Sequence, residues 1–258
     1  MSIQDKLTTI TENVPKVYEA GIAEGKKAQY DAYWDSFQIN GTRTSYYYAF
    51  DKHHFNSDIF YPKYDIRPAG SCERMFYAWG DGNLWGEQIF NLKARLEECG
   101  VVLDTSKVTN LTNAFAYCTF TEIPTIDLTG LTVDSAGIFS HSYGNNVYQM
   151  SIEKIIISET TPIASSWFTN NTALKNVIFE GVIGKSGLNL APCYRLNKAS
   201  FVSVIECLST TTSGMSVSLS KTAVDREFQT SSGSNDGSTS AEWQALVATK
   251  PNWTINLA

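Results

Sequence analysis

The sequence predicts an α+β protein: an N-terminal helix, then an irregular solenoid of short parallel strands, then a C-terminal capping unit. Three observations predict it. The first residues carry a narrow apolar seam, and a degenerate aromatic-plus-aliphatic motif recurs between Ala114 and Leu219. The chain then ends in an amphipathic helix followed by an alternating strand.

Ile3, Leu7, Ile10, Val14, Val17 and Gly21 follow one another at alternating steps of four and three. That is the a/d stripe of a coiled coil, narrower than the apolar face of a helix packed on its own domain. Pro15 interrupts it. Proline is tolerated in a helix's first turn, so Asn13 is expected to cap a second helix running toward Gln38. Residues 1–38 therefore read as an oligomerisation segment with Ile3, Leu7, Ile10, Val14 and Val17 as its seam. The seam predicts self-association, most simply as a homotrimer, without fixing the number of strands.

Asn40-Gly41 marks a turn. Residues 39–70 form a connector crowded with Tyr46, Tyr47, Tyr48, Phe50, Phe55, Phe60, Tyr61 and Tyr64. These rings either pack together to seat the helix on the next domain or form a platform for sugar rings, because tyrosine offers an apolar face and a polar edge. On the second reading Tyr46, Tyr47, Tyr48 and Tyr61 are the candidate ligand contacts.

Residues 71–258 read as the repeat domain. Met75-Phe76-Tyr77-Ala78 opens it, and Ile89, Leu92 and Leu96 share one helical face that ends at Gly100. Ala114-Phe115-Ala116-Tyr117-Cys118 then precedes an aliphatic run from Ile123 to Leu128. Ile138-Phe139-Ser140-His141 precedes Ile152 to Ile157, and Trp167-Phe168-Thr169-Asn170-Asn171 precedes Leu174 to Phe179. Self-similarity at this kind of spacing is the mark of stacked repeats, which serve as binding surfaces more often than as catalysts. A cap is expected from about residue 191, because a last repeat otherwise exposes an apolar end. It comprises a helix through Phe201, Val204, Ile205 and Leu208 and a strand at Val217 and Leu219. A mobile Ser/Gly-rich loop follows from Ser231 to Ser240, and a capping box from Thr239 to Glu242 opens the helix of Trp243, Leu246 and Val247. Trp253, Ile255 and Leu257 form the last strand.

Composition removes several function classes. The 258 residues carry 20 basic and 26 acidic side chains, a formal charge of −6, with no long basic run. Phosphate binding needs a concentrated basic face, so no nucleic-acid partner is expected. The start lacks the apolar core of a signal peptide and no stretch is long enough to span a bilayer. Synthesis in the cytoplasm without a signal peptide, and no membrane insertion, are the expectations. Cys72, Cys99, Cys118, Cys193 and Cys207 are odd in number and widely spaced, and read as buried reduced thiols.

Short catalytic patterns fail on context. Gly184-Lys185-Ser186 ends like a phosphate loop, but Phe179 occupies the place of its first glycine and no helix is expected after it. Ser151-Ile152-Glu153-Lys154 matches an acyl-transfer pattern whose companion motifs are missing. His53-His54, beside Asp51 and Asp58, has no third metal ligand at a recognisable spacing. No catalytic residue, metal ligand or cofactor is assigned. Asp127, Asp134, Glu153 and Glu180 lie on or near the repeat strands. A glycoside-cleaving enzyme would need two of them facing across a cleft.

Ala114-Phe115-x-x-Cys118 and Asn171-x-x-Leu174-Lys175-Asn176-Val177-Ile178 resemble leucine-rich repeats of the BspA type, found on bacterial surface proteins and in phage genomes. The Ile138 copy departs from the pattern, with an insertion and no cysteine. Val14-Pro15-Lys16-Val17-Tyr18-Glu19-Ala20-Gly21, Tyr33-Trp34-Asp35-x-Phe37-Gln38-x-Asn40-Gly41-x-Arg43-Thr44 and Pro62-Lys63-Tyr64-Asp65-Ile66 resemble the leader of phage and prophage virion-type proteins. The ending from Leu196 through Glu242-Trp243 to Asn252-Trp253-Thr254-Ile255 is similar to their tails. What the resemblance implies is a phage structural or accessory protein carrying a repeat domain for interaction; with the seam, the repeats and the lack of catalytic motifs, the expectation is a non-enzymatic, virion-associated, tail- or fibre-type protein whose leucine-rich-repeat-like surface contacts a host-surface glycan or protein. The alternatives are a purely structural assembly or adaptor protein that binds other phage proteins, and a carbohydrate-active enzyme.

Overall fold

The computed structural model describes residues 24–25, 50, 60–79, 89–142 and 148–258. The seam residues Ile3, Leu7, Ile10, Val14 and Val17, the tyrosines at 46, 47 and 48, and His53-His54 lie outside the described residues.

Aliphatic runs bounded by turn residues become strands. They are β1 (Ala69–Ser71), β2 (Phe90–Asn91), β3 (Lys107–Asn110), β4 (Phe120–Ile123), β5 (Ile126–Asp127), β6 (Met150–Ile157), β7 (Leu174–Gly181), β8 (Asn189–Leu190), β9 (Met215–Leu219) and β10 (Trp253–Leu257). Four α-helices are described: α1 (Leu92–Cys99), α2 (Lys198–Cys207), α3 (Lys221–Glu227) and α4 (Ala241–Ala248). β1 pairs with β3, and a three-stranded sheet runs β10-β9-β8. A larger, curled sheet joins β2, β4, β5, β6 and β7. Pro124 cannot donate to a ladder, so β4 stops at Ile123 and β5 restarts at Ile126, both against the same neighbour, β6.

The expected fold class is corrected by this arrangement. Every strand pairing is parallel, and parallel neighbours need crossover connections. In the last third the crossovers are helices: α2 lies between β8 and β9, and α3 and α4 lie between β9 and β10. Strands alternating with helices in a parallel sheet make a mixed α/β protein rather than an α+β one with segregated elements. The residues assigned to a capping unit are this strand–helix unit. No fixed repeat sets the sheets either. Paired residues lie 24 positions apart at Met150–Leu174 and 38 apart at Met215–Trp253, and in place of the expected irregular solenoid the described strands form three separate parallel sheets, the largest curled. No N-terminal helix leads into the fold among the described residues; of residues 1–38 only Glu24 and Gly25 are described, both helical.

Irregular register accounts for the uneven spacing of the buried residues in β6 and β7. In β6 the buried residues are Met150, Ile152, Ile155 and Ile157, and in β7 they are Leu174, Val177 and Phe179. The register shifts between Met150 and Ser151 and between Ile152 and Ile155 let side chains three apart face the same core. The outer edge of β7 is closed by α2. Ser200 Oγ accepts from Val177 N at 3.0 Å, Ser203 Oγ accepts from Phe179 N at 3.2 Å, and Asn197 N donates to Lys175 O at 2.9 Å. Buried serines thus satisfy strand N–H groups that would otherwise template another strand. β7 itself ends at Gly181 with φ 101°, where an added Cβ would stand 1.9 Å from Ile157 O. No helix follows, so the Gly-Lys-Ser sequence is a strand ending and not a phosphate cradle.

The helix ends carry one expected cap, Gly100, and one that was not expected, Asn197. Gly100 takes the left-handed conformation after α1, and Asn197 Oδ1 accepts from Ser200 N at 3.0 Å to open α2. At α4 the cap is Ser240, whose Oγ accepts from Trp243 N at 3.2 Å, one residue past the expected Thr239. The Ser/Gly-rich loop before it is tied down. Asp236 accepts from Thr230 N at 3.0 Å, from Thr230 Oγ1 at 2.6 Å and from Ser234 Oγ. One apolar core runs through the whole described fold, from Phe50 and Phe60 to Trp243 and Trp253.

Candidate functional site

Four short turns stack on one another at the end of the larger sheet. In each, the residue after a buried phenylalanine donates its N–H to the carbonyl three positions earlier. These bonds are Tyr77 to Arg74, Ala116 to Asn113, Ser140 to Gly137 and Thr169 to Ser166, at 3.1–3.2 Å. The turns are joined by Phe76 N to Ala114 O, Phe115 N to Ile138 O and Phe139 N to Trp167 O, each 2.8 Å. Behind them the rings of Phe50, Phe76, Phe115, Phe139 and Phe168 form a buried stack with centroids 5.0, 5.2, 5.5 and 5.3 Å apart and nearly parallel planes. Each such contact contributes about 0.5–1.5 kcal/mol beyond the area it buries.

Two residues past each phenylalanine the backbone is left-handed: Ala78 (φ 53°), Tyr117 (60°), His141 (58°) and Asn170 (54°), with Arg74 (55°) two residues before Phe76. Six of the seven described non-glycine residues with positive φ belong to these turns, so the strain is concentrated there. Asparagine adopts this conformation readily, whereas a tyrosine does so at a cost of about 1–2 kcal/mol. Backbone bonds enforce it: Tyr117 N donates to Ser140 O at 3.0 Å and His141 N to Thr169 O at 2.8 Å. Strain of this kind is retained where the surrounding structure over-determines it, and it points to a use.

On the surface these positions make a file of rings. The Tyr117 and His141 rings stack face to face, 4.5 Å apart with planes 2° from parallel. Tyr77 meets Tyr117 edge-on at 5.4 Å, and the Arg74 guanidinium lies 5.0 Å from the Tyr77 ring. At the other end Asn170 Nδ2 is 3.4 Å from His141 Nδ1. Tyr117 is 39 % exposed. The sequence reading quoted all these turns but not the position two past each phenylalanine. Aligning Tyr117, His141 and Asn170 was the signal for part of the file; Tyr77 stands one residue past Phe76, and Ala78 at the aligned position is buried.

Of the expected ligand-contact tyrosines only Tyr61 is described. It is exposed, with the Arg95 guanidinium of α1 4.2 Å from its ring, and Arg95 Nη1 also donates to Phe60 O at 3.2 Å. Phe50 and Phe60, from the same connector, are wholly buried against Phe76 and Trp79.

The strand carboxylates are held by neighbours. Glu153 pairs with Lys93 at 3.0 Å and accepts from Thr125 N and Oγ1, both at 3.2 Å. Burial raises its carboxyl, but those bonds outweigh it and hold it below the usual range. Glu180 pairs with Lys154, Asp127 Oδ1 accepts from Thr129 N and Oγ1, and Asp134 is exposed. The hydroxyls of Thr211 and Ser209 likewise lower Glu159. Glycoside cleavage needs a carboxyl kept protonated, whereas each described carboxyl with a resolved shift moves downward. Burial pushes the Cys118 and Cys193 thiols up, away from reactivity.

Among the described residues no group of three His, Cys, Asp or Glu side chains is placed to hold a metal, and no helix is long and apolar enough to cross a membrane. Two clefts, of about 210 and 300 Å³, are lined by Lys93, Val102 and Glu153 and by Glu159, Cys207 and Lys250 respectively. Both lie at or below the lower end of the range of small-molecule sites. No family model matches the chain, and neither a curated protein nor a solved structure matches it.

Proposed function

We propose that this chain is a non-enzymatic interaction module of a phage virion, a tail- or fibre-type component that presents a fixed surface to a ligand on the host. The observation that carries the reading is the file of Tyr77, Tyr117 and His141, with Tyr117 exposed and the other two half-buried, held on strained left-handed turns by backbone hydrogen bonds. A surface rigid before it meets its partner loses little entropy on binding. The resemblance of the Val14–Gly21 and Asn252–Ile255 segments to virion-type proteins supports the location.

Deletion of the gene in the producing phage, with mass spectrometry of purified particles, tests this. Intact particles that contain the protein in the wild type and no longer adsorb without it are expected. Its absence from wild-type particles would sink the virion reading. Failed assembly in the deletion would replace adsorption with a scaffolding role.

A further inference from the structure

We propose that the cleft outside the carboxyl ends of β6 and β7 binds a small organic ammonium, the free amino group of an amino sugar or of a short amine, through the Glu159 carboxylate. The proposal stands apart from the interaction-module reading and uses none of the residues of the ring file.

β6 ends at Ile157 and β7 at Gly181, side by side and parallel. The chain then leaves the larger sheet. Ile183 N donates to Cys207 O at 2.7 Å and Ser209 N to Ile183 O at 2.9 Å, which brings the end of α2 to the ends of these strands. Parallel α/β sheets take their ligands in the crevice outside the carboxyl ends of the strands, where the chain changes direction through the sheet. Here that crevice is the cleft of about 300 Å³, whose wall includes Glu159, Val182, Ser209, Thr210, Thr211 and Lys250. Its size suits a ligand no larger than a monosaccharide.

Glu159 is exposed, yet it is held along its length. Gly184 packs so closely that an added Cβ would stand 2.4 Å from Glu159 Cγ. Ser209 Oγ and Thr211 Oγ1 donate to the same carboxylate oxygen, Oε1, at 2.9 and 2.7 Å. Among the described residues Oε2 has no partner and Glu159 forms no ion pair. The hydroxyls of Thr211 and then Ser209, with a lesser effect of the Lys185 charge, hold the carboxyl below its usual range and keep it ionised. Lys250 does not neutralise it, because that buried ammonium donates to Glu206 O at 2.8 Å and to Leu208 O. A fixed carboxylate with one open oxygen is a strong acceptor for an ammonium, and its pre-organisation lowers the cost of binding. Thr210 adds a hydroxyl and the exposed Val182 an apolar contact. Other ligands fit less well. Among the described residues no group of three His, Cys, Asp or Glu side chains is placed to hold a bare metal ion, and an anion would meet the ionised Glu159.

The test follows amide chemical shifts of the full chain during titration with glucosamine, putrescine and N-acetylglucosamine. It is run at about pH 6, where carboxylates are ionised and amines charged. Both amines are expected to bind in the millimolar range and to shift Gly181, Val182 and residues 207–211. N-acetylglucosamine, a sugar ring without the charge, is expected to leave them unmoved. Tighter binding of glucosamine assigns the amine to an amino sugar, and tighter binding of putrescine to a short amine. Glu159→Gln keeps an oxygen for Ser209 and Thr211 but removes the charge, and should weaken binding at least about tenfold. Asp134→Asn, an exposed carboxylate outside the cleft, should change nothing. Thermal melts confirm folding, and Thr211→Val, which frees the carboxylate from one of its two hydroxyls, decides if Glu159→Gln is not folded. Equal binding of N-acetylglucosamine overturns the ammonium assignment. Binding retained in the folded Glu159 or Thr211 variant overturns the role of the carboxylate, and no shift at these amides with either amine overturns the site.

Discussion

The region from β1 to β7 and the unit from β8 to β10 both align parallel strands, and they do so with different materials. In the first, tight turns whose phenylalanines stack in one buried column, Phe50 to Phe168, lie between strands, and α1 is the one helix described there. In the second, helices α2, α3 and α4 make the return. Polar ties at the helix ends hold them: Asn197 and Ser240 as caps, Arg226 donating to Tyr194 O at 2.8 Å and Leu196 O at 2.6 Å, and Lys250 at the end of α2. The difference teaches where a surface can be displayed. A turn column brings successive outward side chains into contact at 4.5–5.4 Å, as Tyr77, Tyr117 and His141 show. In the helical unit the helices fill the space between strands; Phe201, Phe228 and Trp243 are turned inward, and the exposed Tyr194 stacks on no other described ring.

The sharpest way to break this contrast is Phe115→Ala. Phe115 is fully buried at the centre of the column, between Phe76 and Phe139. Its truncation should cost about 3–5 kcal/mol, read as a lower denaturant midpoint. A loss no larger than that of a helix cap would show that the ring stack is not what holds this region.

Lys250→Met comes next. Its ammonium donates to Glu206 O at 2.8 Å and to Leu208 O, supplying positive charge to carbonyls at the C-terminal end of α2. Leaving those buried acceptors bare should cost about 1–3 kcal/mol, with the loss of amide protection in hydrogen exchange confined at first to α2, α4 and β10. Uniform loss over the column as well would mean the two regions unfold as one unit. Ser240→Ala, which removes the α4 cap, should cost about 1 kcal/mol by thermal melting.

The smallest effect is a pH dependence in the 231–240 loop. Bonds from Ser234 and then Thr230 lower the Asp236 carboxyl from 3.8 to about 2. Between those values the unfolded chain binds more protons than the folded one, so stability rises with pH there. The contribution is whole above about pH 4 and is lost as pH falls toward 2. The difference in melting temperature between wild type and Asp236→Asn should therefore shrink across that window, and a constant difference would refute the assignment.

Much of the local structure was legible. The aliphatic runs at 152–157 and 174–179, the helix through Phe201 and Ile205, and the strand at Trp253, Ile255 and Leu257 all lie within observed elements. Gly100 marked a boundary because it accepts positive φ, whereas Pro124, expected inside one run from Ile123 to Leu128, divides it into β4 and β5 because it lacks an N–H. The solenoid organisation and the segregated α+β class did not survive. Parallel pairing between residues 24 to 38 positions apart leaves no local mark, and a capping helix and a crossover helix carry the same apolar stripe. The site was less legible still, since Tyr61 was named and Tyr77, Tyr117 and His141 were not.

The sequence by itself determined which residues are apolar, where the backbone turns, and that the buried phenylalanines recur. Those follow from side-chain chemistry and from what each residue allows at φ. Only the tertiary structure decided that the turns lie one above another, because that depends on hydrogen bonds such as Phe115 N to Ile138 O between distant segments. The same stacking forced Tyr117 and His141 into a conformation their own propensities disfavour and set their rings in line. Local preference fixed the parts, and non-local hydrogen bonding fixed the surface they make.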